Sequence, residues 1–250
     1  MGFVKLHIEN GIATVALAKG KVNALNEPLV EEIHATFKDV QSDRAVKAAI
    51  LTGQGKFFCF GFDIPEFMSY SKEDFMRYLA KVVDLYAYLF MYPKPVVAAL
   101  NGHATAGGCV LAIVCDYRIM ARGKARIGLT ELNLGSTVTN SAIAMLKYSI
   151  GGARAEKLLY TGALLSAEEA YDLGLVSEVM DYESIAKEAL RVAQNFAGKE
   201  ANAFRSTKLR LRESVSKEME RLRQSSIQEF ADCWYLEETR KNLEKVRIFT

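Results

Sequence analysis

The sequence predicts an α/β protein whose C-terminal region is helical, and three patterns support this fold class. The first 17 residues alternate apolar and polar side chains around Asn10-Gly11, a pair typical of a tight β-hairpin. Between residues 26 and 173, short apolar strands alternate with segments of helical periodicity. From about residue 184 onward the apolar spacing is helical only. The chain has 250 residues, half of them apolar, so it can bury a sizeable core.

Each predicted element has a local signal. The hairpin strands cover residues 3–8 and 12–17, on either side of the Asn-Gly pair. Asn26 caps a helix, and Ser71 begins a longer helix that reaches about Tyr92. Short strands are predicted at 46–51, 96–100 and 117–121; strand or helix segments at 125–128, 139–148, 153–160 and 167–173; and helices at 109–115, 185–196, 201–215 and 217–246.

Composition weighs against several classes of function. The formal net charge of +2 gives no electrostatic case for a nucleic-acid partner. No apolar run is long enough to span a bilayer, and no secretory signal is visible, so we expect a cytoplasmic protein with no membrane partner. The three histidines are widely separated, so no metal site is expected. The four cysteines lack CxxC spacing, which suits reduced thiols in the core.

Two glycine-bearing turns carry the chemical signal. One covers residues 57–64 and the other residues 101–109, and each follows an apolar strand. Glycine lets the backbone approach a ligand closely, so the amides of Phe62 and Gly107 are candidate donors to one oxygen atom. Two such donors form an oxyanion hole, and Glu131, the next acid downstream of the second turn that suits the role, is a candidate general base. The pattern predicts an enzyme that acts beside a carbonyl group.

These two turns, together with residues 127–135, resemble the crotonase superfamily, also called the enoyl-CoA hydratase/isomerase family. The resemblance covers nearly the whole chain. It implies an α/β spiral of strand-strand-helix turns, with a core at 1–195 and a helical trimerisation region at 196–250. It also implies a homotrimer or a dimer of trimers.

The resemblance implies roles for particular residues. The amides of Phe62 and Gly107 would hold the thioester oxygen of an acyl-CoA, which is the substrate; no separate cofactor is implied. Glu131 would be the catalytic carboxylate. Substrate contacts are implied, largely through backbone atoms, at Val22, Ala24, Phe60, Asp63, Ile64 and Gly108.

One departure from the family pattern bears on the reaction. Family hydratases have a second glutamate three residues after the glycine that matches Gly107, and this chain has Val110 there. Hydration needs a group that activates water and a coordinated proton donor, whereas moving a double bond needs one base. The sequence therefore favours a 3,2-enoyl-CoA isomerase in which Glu131 moves a proton from C2 to C4. Hydratase, decarboxylase and thioester hydrolase reactions, and a non-catalytic acyl-CoA-binding role, remain alternatives.

Four further expectations concern side-chain surroundings. Leu129, Leu132 and Leu134 should desolvate Glu131 and raise its pKa. The apolar face of residues 75–91 should pack in the core, with an acyl tunnel beside it as the alternative. The basic segment 204–212 should present a solvated face. Trp234 should be buried against neighbouring helices, or cover the acyl pocket or an adjoining subunit.

Overall fold

The hairpin at the start of the chain forms one edge of the main sheet. The structure is a computed structural model that describes residues 2–246. Its first strands, β1 (Val4–Glu9) and β2 (Ile12–Leu17), pair antiparallel across Asn10-Gly11, which confirms the predicted hairpin. The remaining pairs of the main sheet are parallel, and its strands follow as β3 (Ala48–Gly53), β5 (Val96–Leu100), β7 (Tyr117–Ala121) and β9 (Glu178–Met180).

A second, smaller parallel sheet contains the three strands that do not belong to the main sheet. It consists of β4 (Phe57–Cys59), β6 (His103–Thr105) and β8 (Ile127–Gly128), in that order. Each of its strands follows a strand of the main sheet, and a helical segment comes next. The chain therefore advances by strand, strand and helix, as the fold class predicted from the sequence requires.

Eleven α-helices cover and extend these sheets within the described residues. The Asn26 side chain accepts from the Leu29 amide at 3.2 Å, and Ser71 accepts from the Asp74 amide at 3.1 Å, which confirms both predicted caps. The helices are α1 (Glu27–Ser42), α2 (Ile64–Phe67), α3 (Lys72–Phe90), α4 (Gly107–Ile113), α5 (Asn140–Ile150), α6 (Gly152–Thr161), α7 (Ala167–Leu173), α8 (Ile185–Ala197), α9 (Ala201–Arg221), α10 (Arg223–Trp234) and α11 (Glu237–Leu243).

Two predictions about the C-terminal helices were wrong. The break predicted at residue 216 does not exist, because α9 continues through it to Arg221 with no glycine or proline to stop it. The helix predicted at 217–246 is divided instead, since the chain leaves helical geometry at Leu222 and again around Leu236. The domain boundary predicted at residue 195/196 lies near the end of α8 and stays a prediction.

The basic segment 204–212 also differs from the expectation. Lys208 and Arg212 are buried rather than solvated, and both pair with Asp116 just beyond α4, at 2.8 and 3.0 Å. The apolar Leu211 between them is 61% exposed. The Asp116 carboxylate therefore determines which side of α9 faces the core. The apolar spacing of the helix could not predict this orientation.

Candidate active site

The two glycine-bearing turns lie side by side because they follow neighbouring strands. β4 and β6 are parallel and adjacent, so their carboxyl ends meet at one edge of the small sheet. Gly61 has a φ of +107°, and a Cβ built on it would lie 3.1 Å from the Gly107 nitrogen. Only glycine allows this approach. The sequence thus brings the two candidate amides together, as predicted from the turns.

The Phe62 amide is left free by the bridge that holds its neighbours. The Leu25 amide donates to the Gly61 carbonyl at 2.7 Å, and the Asp63 amide donates to the Leu25 carbonyl at 3.0 Å. In a parallel bridge of this pattern the amide of the central residue points the other way. Phe62 therefore presents its N–H on the side opposite Leu25.

The Gly107 amide is free because it opens a helix. Gly107 is the first residue of α4, so its N–H has no intrahelical acceptor. The preceding carbonyl, of Ala106, accepts from the amides of Cys109 and Val110 at 2.9 and 3.2 Å. The Tyr86 hydroxyl donates to the Gly107 carbonyl at 2.9 Å. Within residues 2–246, neither the Phe62 nor the Gly107 amide has a hydrogen-bond acceptor.

Glu131 begins a 3-10 turn, Glu131–Leu134, shortly after β8. Its Oε2 atom is buried and has no hydrogen-bond partner among the described residues. Burial raises the pKa of the Glu131 carboxyl from 4.5 to about 7, although the nearby Thr130 and Glu131 amides act in the opposite direction. The raised pKa expected from the sequence is confirmed. A carboxyl group of this kind can accept and return a proton near neutral pH.

One cavity of about 320 Å³ joins these groups. Phe62, Gly107 and Glu131 all line it, as do Phe60 and Ile64 from the predicted substrate contacts. Val110 also lines it, at the position where a second carboxylate would stand. Its wall is otherwise mostly apolar. The further apolar lining residues are Leu79, Val82, Val83, Tyr86, Ala106, Leu134, Val138, Ala142, Leu164, Phe230, Trp234 and Val246, and the polar ones besides Glu131 are Thr105, Thr130, Asn133, Ser136 and Thr139.

Four of the predicted substrate contacts lie outside this cavity wall. Val22 and Ala24 are buried in the segment beside the first turn, where the Phe60 amide donates to the Val22 carbonyl at 3.0 Å. Asp63 pairs with Lys19 at 2.6 Å. Gly108 packs against the Cys59 carbonyl, with no room for a side chain. Their contact with the coenzyme A part of a substrate stays a prediction.

The surroundings of Glu131 differ in detail from the expectation. Leu134 lines the cavity, but Leu132 is 41% exposed and Leu129 is buried away from the cavity wall. Of the three leucines, Leu134 alone shares the cavity wall with Glu131.

The aromatic wall of the cavity was largely missed from the sequence. Phe230 and Trp234 come from α10, about 100 residues after Glu131 in the chain, and their rings pack against Phe62 and Phe75. Their spacing of four on a helix indicated that both share one face. Covering the acyl pocket was one of the alternatives expected for Trp234, whereas the part played by Phe230 was not predicted.

Side chains of α3 serve both roles that the sequence allowed. Phe75 is buried among other rings, whereas Leu79, Val83 and Tyr86 reach the cavity. His103 stays outside the cavity, where its ring packs on Phe57.

Residues 2–246 lack two kinds of feature. No grouping of three or more His, Cys, Asp or Glu side chains is suited to hold a metal there. Over that range, no helix combines the length and apolar character needed to cross a bilayer.

Comparisons with known proteins identify the family of this chain. A family model described as "Enoyl-CoA hydratase/isomerase" matches residues 7–246. A probable enoyl-CoA hydratase of Bacillus subtilis is 33% identical over 208 residues, which cover 82% of this chain and 80% of that protein. The mitochondrial enoyl-CoA delta isomerase 1 of Mus musculus is 29% identical over 235 residues, which cover 93% of this chain and 81% of that protein.

A solved structure shares the fold closely. The crystal structure of human mitochondrial delta3-delta2-enoyl-CoA isomerase superposes with a TM-score of 0.93 at 27% identity, and covers 97% of this chain and 95% of that one. The family model spans almost all of the described residues, and both sheets and the C-terminal helices match the crotonase fold. This chain therefore belongs to the enoyl-CoA hydratase/isomerase family, the crotonase superfamily of enzymes that act on CoA thioesters.

Proposed function

We propose that this protein is an acyl-CoA isomerase that converts a 3-enoyl-CoA into a trans-2-enoyl-CoA. One observation carries the proposal: among the described residues that line the cavity, Glu131 is the single carboxylate, and Val110 stands where family hydratases have another. The likeness to the human isomerase structure supports the same assignment. The relatives include hydratases as well, so the reaction has to be decided by assay.

The proposed mechanism uses one base and two amides. The thioester oxygen binds at the Phe62 and Gly107 amides, which stabilise the negative charge that develops there. Ionised Glu131 removes a proton from C2 of the 3-enoyl chain, and the electron pair delocalises into a dienolate. The same carboxyl group then delivers that proton to C4, while the double bond forms between C2 and C3. No atom is gained or lost, so the reaction requires no water and no further reactant.

The apolar wall supports this assignment over hydration. Hydration needs a water molecule held by a base at C3 and a donor at C2. Val110 is 3% exposed and offers neither a base nor a hydrogen-bond partner for water. A mostly apolar cavity also suits a hydrocarbon chain.

The direct test compares two substrates. Incubation with 3-hexenoyl-CoA should raise the ultraviolet absorbance of the conjugated thioester, because the double bond moves into conjugation. Incubation with trans-2-hexenoyl-CoA should leave that absorbance nearly constant. Rapid loss of the conjugated absorbance would identify a hydratase, and no change with either substrate would contradict the isomerase proposal.

A matched variant tests the role of Glu131. Glu131→Gln keeps the size of the side chain but removes the base, so kcat should fall by about 10²–10⁴-fold. The affinity for hexanoyl-CoA, measured by calorimetry, should change little because the oxyanion amides remain. A fully active Glu131→Gln enzyme would rule out the one-base mechanism.

We also propose that the active protein is a homotrimer, or a dimer of trimers, in the cytoplasm. The family resemblance implies this assembly, and the helices after residue 196 supply the candidate surface.

A further inference from the structure

Ala106 has a backbone conformation that is costly for alanine. Its φ is +49° and its ψ is −123°, in the region that glycine occupies in tight turns. Only two other non-glycine residues of the described chain have positive φ, Asn10 and Asn23, and asparagine tolerates that geometry better. A glycine at position 106 would remove the strain. Interactions of the methyl group with its surroundings must therefore offset the conformational strain of alanine at this position.

The peptide group between Ala106 and Gly107 sets the direction of the Gly107 amide. The Ala106 amide donates to the Gly128 carbonyl at 2.8 Å, and its carbonyl accepts from the first amides of α4. In a trans peptide the N–H points opposite to the C=O. Because the Ala106 carbonyl faces α4, the Gly107 N–H faces away from the helix.

The methyl group of Ala106 also contacts the other turn. A Cβ built on Gly61 would lie 3.1 Å from the Ala106 methyl carbon, so the two residues are packed together. Gly61 directly precedes Phe62, the second amide donor. Ala106 lines the cavity as well. The methyl group thus packs against the residue that directly precedes the first donor, and Ala106 itself directly precedes the second donor.

We propose that Ala106 is a positioning residue whose methyl group, held in a strained backbone against Gly61, fixes the separation and direction of the Phe62 and Gly107 amides. This inference rests on the proposed role of those amides as the oxyanion hole. It assigns the cost of the strained conformation to catalysis rather than to folding.

The test replaces Ala106 with glycine. Ala106→Gly removes the methyl group and gives the backbone at position 106 more conformational freedom. The Phe62 and Gly107 amides should then be held less firmly. We expect kcat to fall by about 10- to 100-fold, because small misplacements of oxyanion donors are costly. The KM should stay within about twofold of the wild-type value. The pH at which kcat is half-maximal should shift by less than about 0.3 pH units. The Tm should not fall, since strain is relieved as the methyl is lost.

A second measurement does not depend on turnover. Hexanoyl-CoA labelled with ¹³C at the thioester carbonyl is saturated, and its carbonyl stretch can be followed by infrared difference spectroscopy. Two well-placed amides should lower that frequency on binding to the wild-type protein. We expect a smaller lowering with Ala106→Gly. This result would hold even if the wild-type enzyme proved inactive on every 3-enoyl-CoA. Failure of the proposed reaction can therefore be distinguished from failure of the proposed role of Ala106.

Asn10→Gly is the matched control. Asn10 has the same φ of +49° but lies in the hairpin turn, so this change also removes a strained residue. It should leave kcat and the carbonyl frequency unchanged. Wild-type kcat and an unaltered carbonyl frequency in Ala106→Gly would overturn the proposal. So would a fall of Tm together with a rise of KM, because that pattern indicates a general packing role.

Discussion

Glu131 combines the reactivity of a base with a cost to stability. Its carboxyl has no hydrogen-bond partner for Oε2 among the described residues, and burial favours the neutral form. The folded pKa of about 7 lies above the ordinary glutamate value of 4.5, so folding becomes less favourable as pH rises between those values. Above pH 7 the cost is constant, at about 3 kcal/mol.

Replacement of Glu131 should therefore stabilise the fold at alkaline pH. We expect Glu131→Gln to raise the free energy of unfolding by about 2–3 kcal/mol at pH 8, and by less than about 1 kcal/mol at pH 5. Urea denaturation at both pH values measures the difference. Equal effects at pH 5 and pH 8 would mean that the carboxyl group is not desolvated in the folded protein.

The same pKa predicts the pH dependence of activity. Only the ionised form of Glu131 can accept the C2 proton, and kcat/KM reports the pKa of the free enzyme. We expect kcat/KM for 3-hexenoyl-CoA to rise about tenfold per pH unit below pH 7 and to level off above it. A profile that levels off near pH 4.5 would show that the catalytic carboxyl group is solvated and has an ordinary pKa.

Val110 offers a test of what the second carboxylate would do. It is buried and faces the same cavity as Glu131. We expect Val110→Glu to gain measurable hydration of trans-2-hexenoyl-CoA, at least tenfold above the wild-type rate, because a second proton-transfer group is then present. The change would be followed as loss of the conjugated absorbance.

Val110→Gln is the control for that experiment. It has nearly the same size as the glutamate variant but cannot transfer a proton, so it should not hydrate the substrate. Equal hydration by both variants would show that cavity shape or access of water, rather than the carboxylate, determines the reaction.

At the scale of elements, α9 is fixed to the core by buried charge. Asp116 pairs with Lys208 and Arg212, and all three side chains are at most 10% exposed. Arg212 also donates to the carbonyls of Phe90 and Val114, at the C-terminal ends of α3 and α4. Cations at these ends are favoured by the helix dipoles. The arrangement connects the C-terminal helices to the helix that opens at Gly107.

Removal of the shared carboxylate should be strongly destabilising. Asp116→Asn leaves two buried cations without a counter-charge, and we expect a loss of about 3–5 kcal/mol in the free energy of unfolding. Arg205→Gln is the control, because Arg205 is exposed on the same helix, and it should cost less than about 0.5 kcal/mol. Urea denaturation at pH 7 measures both. A loss below 1 kcal/mol for Asp116→Asn would show that the pairing is weak.

The sequence predicted those elements whose signals are local. The Asn10-Gly11 hairpin and the caps at Asn26 and Ser71 were correct because each depends on neighbouring residues. The strands at 103–105 and 178–180 were missed because three residues carry little periodicity. The end of α9 was missed because Leu222 has no breaker beside it, and helix propensity there gives no stop signal.

The site divides in the same way. The free amides of Phe62 and Gly107 could be predicted from glycines in turns after strands, and Glu131 from its order in the chain. The buried pair of Lys208 with Asp116 could not be predicted, and the alternatives for Trp234 could not be decided, since both depend on contacts across 92 and more residues. Tertiary contacts of this length leave no pattern in one sequence.

At the scale of the whole molecule, the last helices close the cavity over the core. Arg223 holds Asp84 of α3 through two hydrogen bonds of 2.7 and 2.8 Å. The Tyr235 hydroxyl donates to the Tyr70 carbonyl at 2.7 Å, and Thr239 donates to the Gly135 carbonyl at 2.8 Å. These contacts hold α10 against α3, and α10 supplies Phe230 and Trp234 to the cavity wall.

The outer side of α9 leads to a prediction about assembly. This helix directs two cations inward and an apolar side chain outward, since Leu211 is 61% exposed in the single chain. An outward leucine on a helix of the predicted oligomerisation region is suited to a contact with another copy. We expect the wild-type protein to have three or six times the 27.8 kDa mass of one chain by multi-angle light scattering. Leu211→Glu should lower the mass toward that of one chain, because a charge would be buried at the contact.

The control for assembly is an equal change elsewhere on the surface. Tyr160 on α6 is 73% exposed and lies outside residues 196–250, so Tyr160→Glu should keep the wild-type mass. Both variants should retain the wild-type circular dichroism, since neither side chain is in the core. If Tyr160→Glu dissociated the assembly and Leu211→Glu did not, the contact would lie on the spiral core. The C-terminal helices would then serve to close the cavity of their own chain, because their docking contacts to α3 do not depend on a second copy.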